Sequence, residues 1–309
     1  MEHPTRSPRG HRWPRQEYWA PRRLPIRDVR RRLEELDPAS QDVEVAHLAL
    51  EVLTPPRIAV FAYAIGAART NASPRIAERQ VREGRGDQIA HPRERIADTL
   101  TFFGELMRCG HRSAEGRAVC DRINGIHREV GRIRNEDQIF VLSQLAFGPE
   151  IIGRAMGRQP FSHHVLDGLF HFWLGVGRAM KLKDLPETRP ELAAWALDYE
   201  RRCFEPSADG QMGAEGYRRG LETWFPRPAR RLVRRVFVAA MDEPMRECLG
   251  YQAVSPAAVA AWRLLWRATL ATTPGRLVRL DSTWTNAFSR VGPDPDLRSI
   301  GFGTTNTRT

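Results

Sequence analysis

The period of its apolar residues constrains this chain more than any other feature. After residue 29 they recur at three- and four-residue intervals almost everywhere, and no alternating run bounded by hairpin turns interrupts them. That pattern predicts an all-α fold. At 309 residues the chain is long enough to bury a sizeable core and an internal pocket. The spacing predicts helices over 41–53, 56–68, 74–83, 93–108, 114–130, 136–146, 163–181, 190–203, 213–222, 228–247 and 256–271. Several starts carry capping chemistry: Asn135 before an acidic turn, Thr188 with Glu191 as a capping box, and Ser255 followed by Pro256 in the first turn. The stretches 84–92 and 205–212 are richest in turn residues, yet neither is long enough to link two domains. The expected organisation is a basic arm over 1–28, one helical domain over 29–292, and a tail over 293–309 with no apolar period.

The formal net charge of +11 raises the question of a polyanionic partner, and its distribution narrows the answer. Ten arginines fall between Arg6 and Arg32, among Pro4, Pro8, Pro14, Pro21 and Pro25, so the excess sits in an irregular arm and not in a groove. Lysine occurs only at Lys181 and Lys183, which fits a coding preference for arginine better than a phosphate-reading code. Weak peripheral contact between residues 1–28 and an anionic membrane is one expectation for the arm; a solvated tail is the other. No run approaches the roughly 18 apolar residues of a membrane-spanning helix, and no secretory signal is evident, so a cytoplasmic location is expected. Cys109, Cys120, Cys203 and Cys248 show no paired metal-ligand spacing and are expected to be reduced thiols.

Three segments carry polar groups on apolar helix faces. Over 114–130, Val119, Ile123, Ile126 and Val130 form an inward stripe with His127 on its edge, a placement more often taken by a hydrogen-bonded core histidine than by a ligand. Arg95, Asp98 and Thr99 stand one turn apart on one face of 93–108, either as a surface ion pair or as a polar triplet facing inward. In 163–181, Trp173, Val176 and Met180 continue an apolar face that Gly175 and Gly177 interrupt, leaving room for a neighbouring helix or for a flat macrocycle. His163, His164 and His171 are expected at the surface or in caps.

The stretch RINGIHREVGRIRNEDQIFVLSQLAFGPE, with FHFWLGVGRAMKLKDLPETRPELAAWALDYE after it and PPRIAVFAYAIGAARTNASPRIAERQ and RERIADTLTFFGEL before it, resembles the mpaB-type oxygenase and rubber-oxygenase family in order and spacing. The resemblance spans roughly residues 50–205. It implies a globin-like helical core around a haem b pocket, with His127 as the iron ligand and Asn124, Trp173 and Gly177 beside the cofactor. It also implies Arg95, Asp98 and Thr99 on the dioxygen side, and an apolar isoprenoid-type alkene as substrate. Asp98 stands where the rubber-oxygenase branch resembles this motif with lysine, so the mpaB branch is the closer likeness.

Other readings compete. A non-catalytic haem or lipid carrier would share the pocket and differ only in consuming no oxygen with any alkene. A basic nucleic-acid binder would show salt-dependent retention on DNA and no Soret band. Glu44 and His47 form one carboxylate–histidine pair, whereas a di-iron bundle needs two such pairs and two further carboxylates. No phosphate loop, nucleophile elbow or dinucleotide fingerprint occurs, which argues against nucleotide, serine-triad and nicotinamide chemistry.

Overall fold

Helix α3 (Pro56–Thr70) is the element around which the others assemble, because its sequence leaves it no polar face. Ala59, Val60, Phe61, Ala64, Ile65, Gly66 and Ala68 are all buried, and a helix apolar all round is stable only inside other helices. A computed structural model of the chain describes residues 22–131, 133–257, 259–260, 263–264 and 275–301. Ahead of α3 lie β1 (Arg23–Pro25), α1 (Ile26–Glu35) and α2 (Asp42–Ala46), which widens into a π-turn over His47–Val52. After it come α4 (Pro74–Val81), α5 (Asp87–Ala90), α6 (Pro92–Cys109), α7 (Ala114–Glu129), α8 (Asn135–Ala146), α9 (Gly148–Met156) and α10 (His163–Ala179). The chain continues through α11 (Arg189–Cys203), α12 (Ala208–Glu222), α13 (Arg230–Ala239), α14 (Glu243–Cys248), β2 (Leu277–Arg279) and α15 (Trp284–Phe288).

The all-α class is as the periodicity predicts. Helices α6, α8, α9 and α12 pack on α3, while α10 spans α2 and α8 on the other side of the core. The capping box at Thr188 is present: its hydroxyl accepts from the Glu191 amide at 3.3 Å, and Glu191 accepts from the Thr188 amide at 3.2 Å. Asn135 does not cap. It is the first residue of α8, and its side chain instead exchanges two hydrogen bonds with the Lys183 backbone, at 2.8 and 2.9 Å, fixing the loop after α10. Helix α9 falls where no helix is expected, since Gly148, Gly153 and Gly157 break the pattern of that stretch. Contact with α3 and α8 stabilises it regardless of local propensity.

The two ends of the domain meet. β1 and β2 form an antiparallel pair with Leu24 opposite Val278; strands of three residues are too short to show alternation in sequence. Residues 23–28, assigned to the arm by composition, thus form β1 and begin α1, whose Val29 and Leu33 are buried. Part of the expected tail also joins the core: Ile300 is buried, and Arg122 on α7 donates to the carbonyls of Leu297 and Ile300. The first 21 residues, with their expected membrane contact, most of the helix expected over 256–271, and residues 302–309 lie outside the described residues.

Helix α15 docks on α6 at Gly104, where a Cβ would lie 2.6 Å from the Thr285 amide nitrogen and 2.8 Å from its hydroxyl. Backbone cannot yield as a flexible side chain can. Gly104→Ala is expected to destabilise the protein by about 1–3 kcal/mol in urea unfolding, and an unchanged midpoint would contradict this packing. Among the described residues no single helix is long and apolar enough to cross a membrane.

Candidate active site

A cavity of about 250 Å³ opens where α3, α6, α7, α8, α10 and α12 converge. The stripe on α7 supplies Ile123, Ile126 and Val130, and α10 supplies Trp173, Val176 and Met180. Phe103 of α6 meets Trp173 edge to face at 5.1 Å and Tyr63 of α3 at 6.1 Å, forming an aromatic wall. Five of the residues singled out from sequence line this space: Arg95, Asp98, Thr99, His127 and Trp173.

His127 is held as a neutral imidazole. Its Nδ1 lies 3.2 Å from Gln138 Oε1, and because that oxygen only accepts, Nδ1 carries the proton and Nε2 keeps its lone pair. Burial pushes the imidazole pKa down to about 4; the Gln138 bond opposes the shift, and the charge of Arg95 adds to it. Arg95 donates to the Thr99 hydroxyl, which itself donates to the Arg95 carbonyl at 2.9 Å. Burial alone would lower the guanidinium pKa, but Tyr63, Tyr217, Asp98 and Asp87 outweigh it and raise it, so Arg95 is a fixed cation inside the cavity.

Asp98 does not pair with Arg95. Its carboxylate binds Arg290, at 2.9 Å, and accepts from the Gly301 amide at 3.3 Å, so it anchors the C-terminal segment against the cavity rim. Asn124 and Gly177 do not line the cavity. The Asn124 amide donates to the Met180 carbonyl at 3.2 Å and ties α7 to the end of α10. Gly177 is explained by close packing: a Cβ there would come within 2.8 Å of Leu142 and 3.1 Å of Leu185. Gly175 likewise makes room for the His111 ring, 2.0 Å from the position of a Cβ. His164 caps Leu36 through its Nε2 at 2.7 Å, and His163 starts α10 at the surface.

The family profile described as "ER-bound oxygenase mpaB/B'/Rubber oxygenase, catalytic domain" matches residues 51–273. The chain belongs to this family. A comparison with curated proteins finds no match. The description covers both branches at once and does not separate them. The matched span of this oxygenase domain runs from the π-turn through α14 and includes every cavity residue on α3, α6, α7, α8, α10 and α12. Arg290 and Gly301 close the cavity from outside that span.

Gln138, Tyr63, Tyr217, Gln88 and Arg290 are cavity residues that sequence reasoning missed. Gln138 sits eleven residues from His127 across a turn, a separation with no helical or strand meaning. Tyr217 and Arg290 lie beyond the stretch of resemblance. The competing metal reading loses its ligands: His47 bonds Glu51 and the Leu280 carbonyl, and Glu44 pairs with Arg32. Among the described residues no cluster of three or more His, Cys, Asp or Glu is placed to hold a bare metal ion.

Proposed function

We propose that the cavity holds haem b through His127 and that the protein is a haem-dependent oxygenase acting on an apolar, isoprenoid-type alkene. The observation that carries this reading is a neutral imidazole on the cavity wall, its Nδ1 occupied by Gln138 and its Nε2 free to donate an electron pair. That is the arrangement in which iron-binding histidines work, since a hydrogen bond at one ring nitrogen fixes the tautomer and orientation of the other. The chemistry of the lining supports this reading. Trp173, Phe103, Val176, Ile126 and Met180 offer apolar surface for a macrocycle and an alkene, and Arg95 offers a fixed positive charge.

Bound there, haem supplies the activation of dioxygen, and with it oxidative cleavage of a carbon–carbon double bond or insertion of oxygen. The chain's residues do the rest. The aromatic wall excludes water from the alkene, and Arg95, held by Thr99 one turn along α6, presents its remaining guanidinium N–H donors in a fixed position. Asp98, engaged by Arg290, positions the rim.

The test is an absorption spectrum of protein reconstituted with haem, followed by oxygen uptake with a prenylated alkene. A Soret band and alkene-dependent uptake are expected; a protein that stays colourless when supplied with haem defeats the cofactor assignment, and a coloured one inert with alkenes is a carrier. Gln138→Leu removes the partner of Nδ1 and is expected to weaken haem binding by about 10- to 100-fold in a haem titration. Unchanged affinity would show that Gln138 does not orient the ring.

A further inference from the structure

The surface at the C-terminal end of α12 carries charge that the cavity chemistry does not use. From Thr223 to Met241 the chain holds five arginines and no acidic residue. Arg227, Arg231 and Arg235 are exposed, and among the described residues none of them has a carboxylate partner. Two arginines from other elements join them: Arg57 of α3 lies over the Phe225 ring at 5.8 Å, and Arg93 of α6 over Trp224 at 4.2 Å. Arg230 donates to the Phe225 carbonyl at 3.3 Å and Arg93 to the Thr223 carbonyl at 2.8 Å, so guanidiniums from three elements gather around residues 223–225. Stacking on an aromatic ring holds a guanidinium in place without cancelling its charge. Within α13 only Arg234 has an acidic partner among the described residues, Glu222 at 3.0 Å. Val233, Val236 and Phe237 turn inward, which leaves Leu232 standing out at 48% exposure, one turn from Arg235.

We infer that α13, the turn before it and the flanking Arg57 and Arg93 form a face that docks on an anionic lipid bilayer, with Leu232 entering the headgroup layer. The occupant follows from the mixture of groups. Unpaired guanidiniums match lipid phosphates, and a leucine among them is buried by acyl chains but left in water by the phosphate backbone of a nucleic acid. The position of the face adds a reason. His91 lines the cavity and is exposed, so the cavity opens beside the first turn of α6, two residues from Arg93. A molecule dissolved in the bilayer then reaches the cavity along α6 with little passage through water, whatever group the cavity holds. This face is separate from the basic arm ahead of the domain, and it needs neither the cofactor nor turnover to be tested.

The test is sedimentation of the full chain with vesicles of phosphatidylcholine alone and of phosphatidylcholine mixed with phosphatidylglycerol. Wild type is expected to partition at least roughly 30-fold more strongly onto the mixed vesicles, and less so as salt is raised. Reversing two charges of the face, in an Arg231→Glu, Arg235→Glu double variant, is expected to lower that partition at least roughly 10-fold. The control double variant Arg154→Glu, Arg178→Glu makes the same change in net charge at exposed positions on α9 and α10, and is expected to lower it by less than about 3-fold. None of these four arginines has a carboxylate partner among the described residues, so both double variants are expected to keep the wild-type Tm. Leu232→Ser removes the protruding side chain and is expected to lower partition about 3-fold at high salt, where the charges are screened. Equal losses in the two double variants would assign vesicle binding to net charge or to the basic arm and overturn the inference, as would equal partition of wild type onto neutral and anionic vesicles. Displacement of wild type from the vesicles by duplex DNA, with Leu232→Ser behaving as wild type, would make the face a nucleic-acid surface and overturn it as well.

Discussion

Replacing His127 by alanine is expected to give a folded protein that no longer retains haem. Second-sphere partners of a metal-binding histidine are worth about 10- to 100-fold in affinity, so loss of the donor atom itself is expected to cost at least roughly 100-fold in a haem titration. The fold survives because His127 sits at the edge of the α7 stripe, with Val119 and Cys120 carrying the buried face of that helix. The same substitution has a second readout that needs no cofactor. In the unfolded chain the imidazole takes a proton near its ordinary value of 6.5, whereas the folded protein, by burying it, refuses that proton until about pH 4. Between those values the unfolded state binds more protons, so cofactor-free wild type loses stability as pH falls through the window, by about 3 kcal/mol once the window is crossed. His127→Ala lacks this group and is expected to lose about 2 kcal/mol less than wild type in urea unfolding between pH 7 and pH 4.5. Equal pH dependence in the two proteins would place the imidazole in water, not on a cavity wall.

How legible this was in the sequence depends on how local each determinant is. The α class follows from periodicity, and the inward placement of His127 and Trp173 follows from the stripes they continue, because helix geometry alone fixes which residues share a face. Position along a stripe does not say what lies opposite. The spacing of Gly177 is as compatible with a macrocycle as with a helix, and the side chains packed against it, Leu142 and Leu185, come from two other segments. The i, i+3 spacing of Arg95 and Asp98 permits an ion pair between them, yet Arg290, almost two hundred residues away, takes the carboxylate. Asn124 illustrates the same limit, since its partner is a backbone carbonyl at the far end of α10. The sequence also hides Gln88, a polar residue in a turn-rich stretch that only tertiary packing against Gly216 carries into the interior.

The C-terminal segment supplies the cavity rim only because a buried network holds it, and breaking that network at His47 is expected to have the largest effect on stability. His47 lies on the π-turn with no exposed surface; its Nδ1 is 2.7 Å from Glu51 Oε2 and its Nε2 is 2.8 Å from the Leu280 carbonyl. Glu51 Oε1 accepts from the Trp284 amide at 2.6 Å, and the Trp284 indole donates to the Leu50 carbonyl at 3.0 Å. Alongside, Thr285 donates to Glu105 at 2.6 Å, and Glu105 is paired with Arg108. Burial raises the Glu51 pKa even though the bonds from His47 and Trp284 oppose it, so the carboxyl depends on those bonds to be tolerated inside. His47→Ala leaves Glu51 without its main partner and the Leu280 carbonyl without a donor, at a cost of about 3–5 kcal/mol. In a domain of this size that corresponds to a fall in Tm on the order of 10 °C. Glu51→Gln is expected to cost less, because its amide oxygen still accepts from Trp284. The consequence reaches the site: loosening residues 280–285 frees Arg290 and Gly301 from the rim, so His47→Ala is also expected to weaken haem binding although no atom of His47 lines the cavity. A His47→Ala protein with wild-type Tm would mean that α15 is held by its apolar contacts with α6 alone, and the rim would then have to be anchored by the Asp98–Arg290 pair.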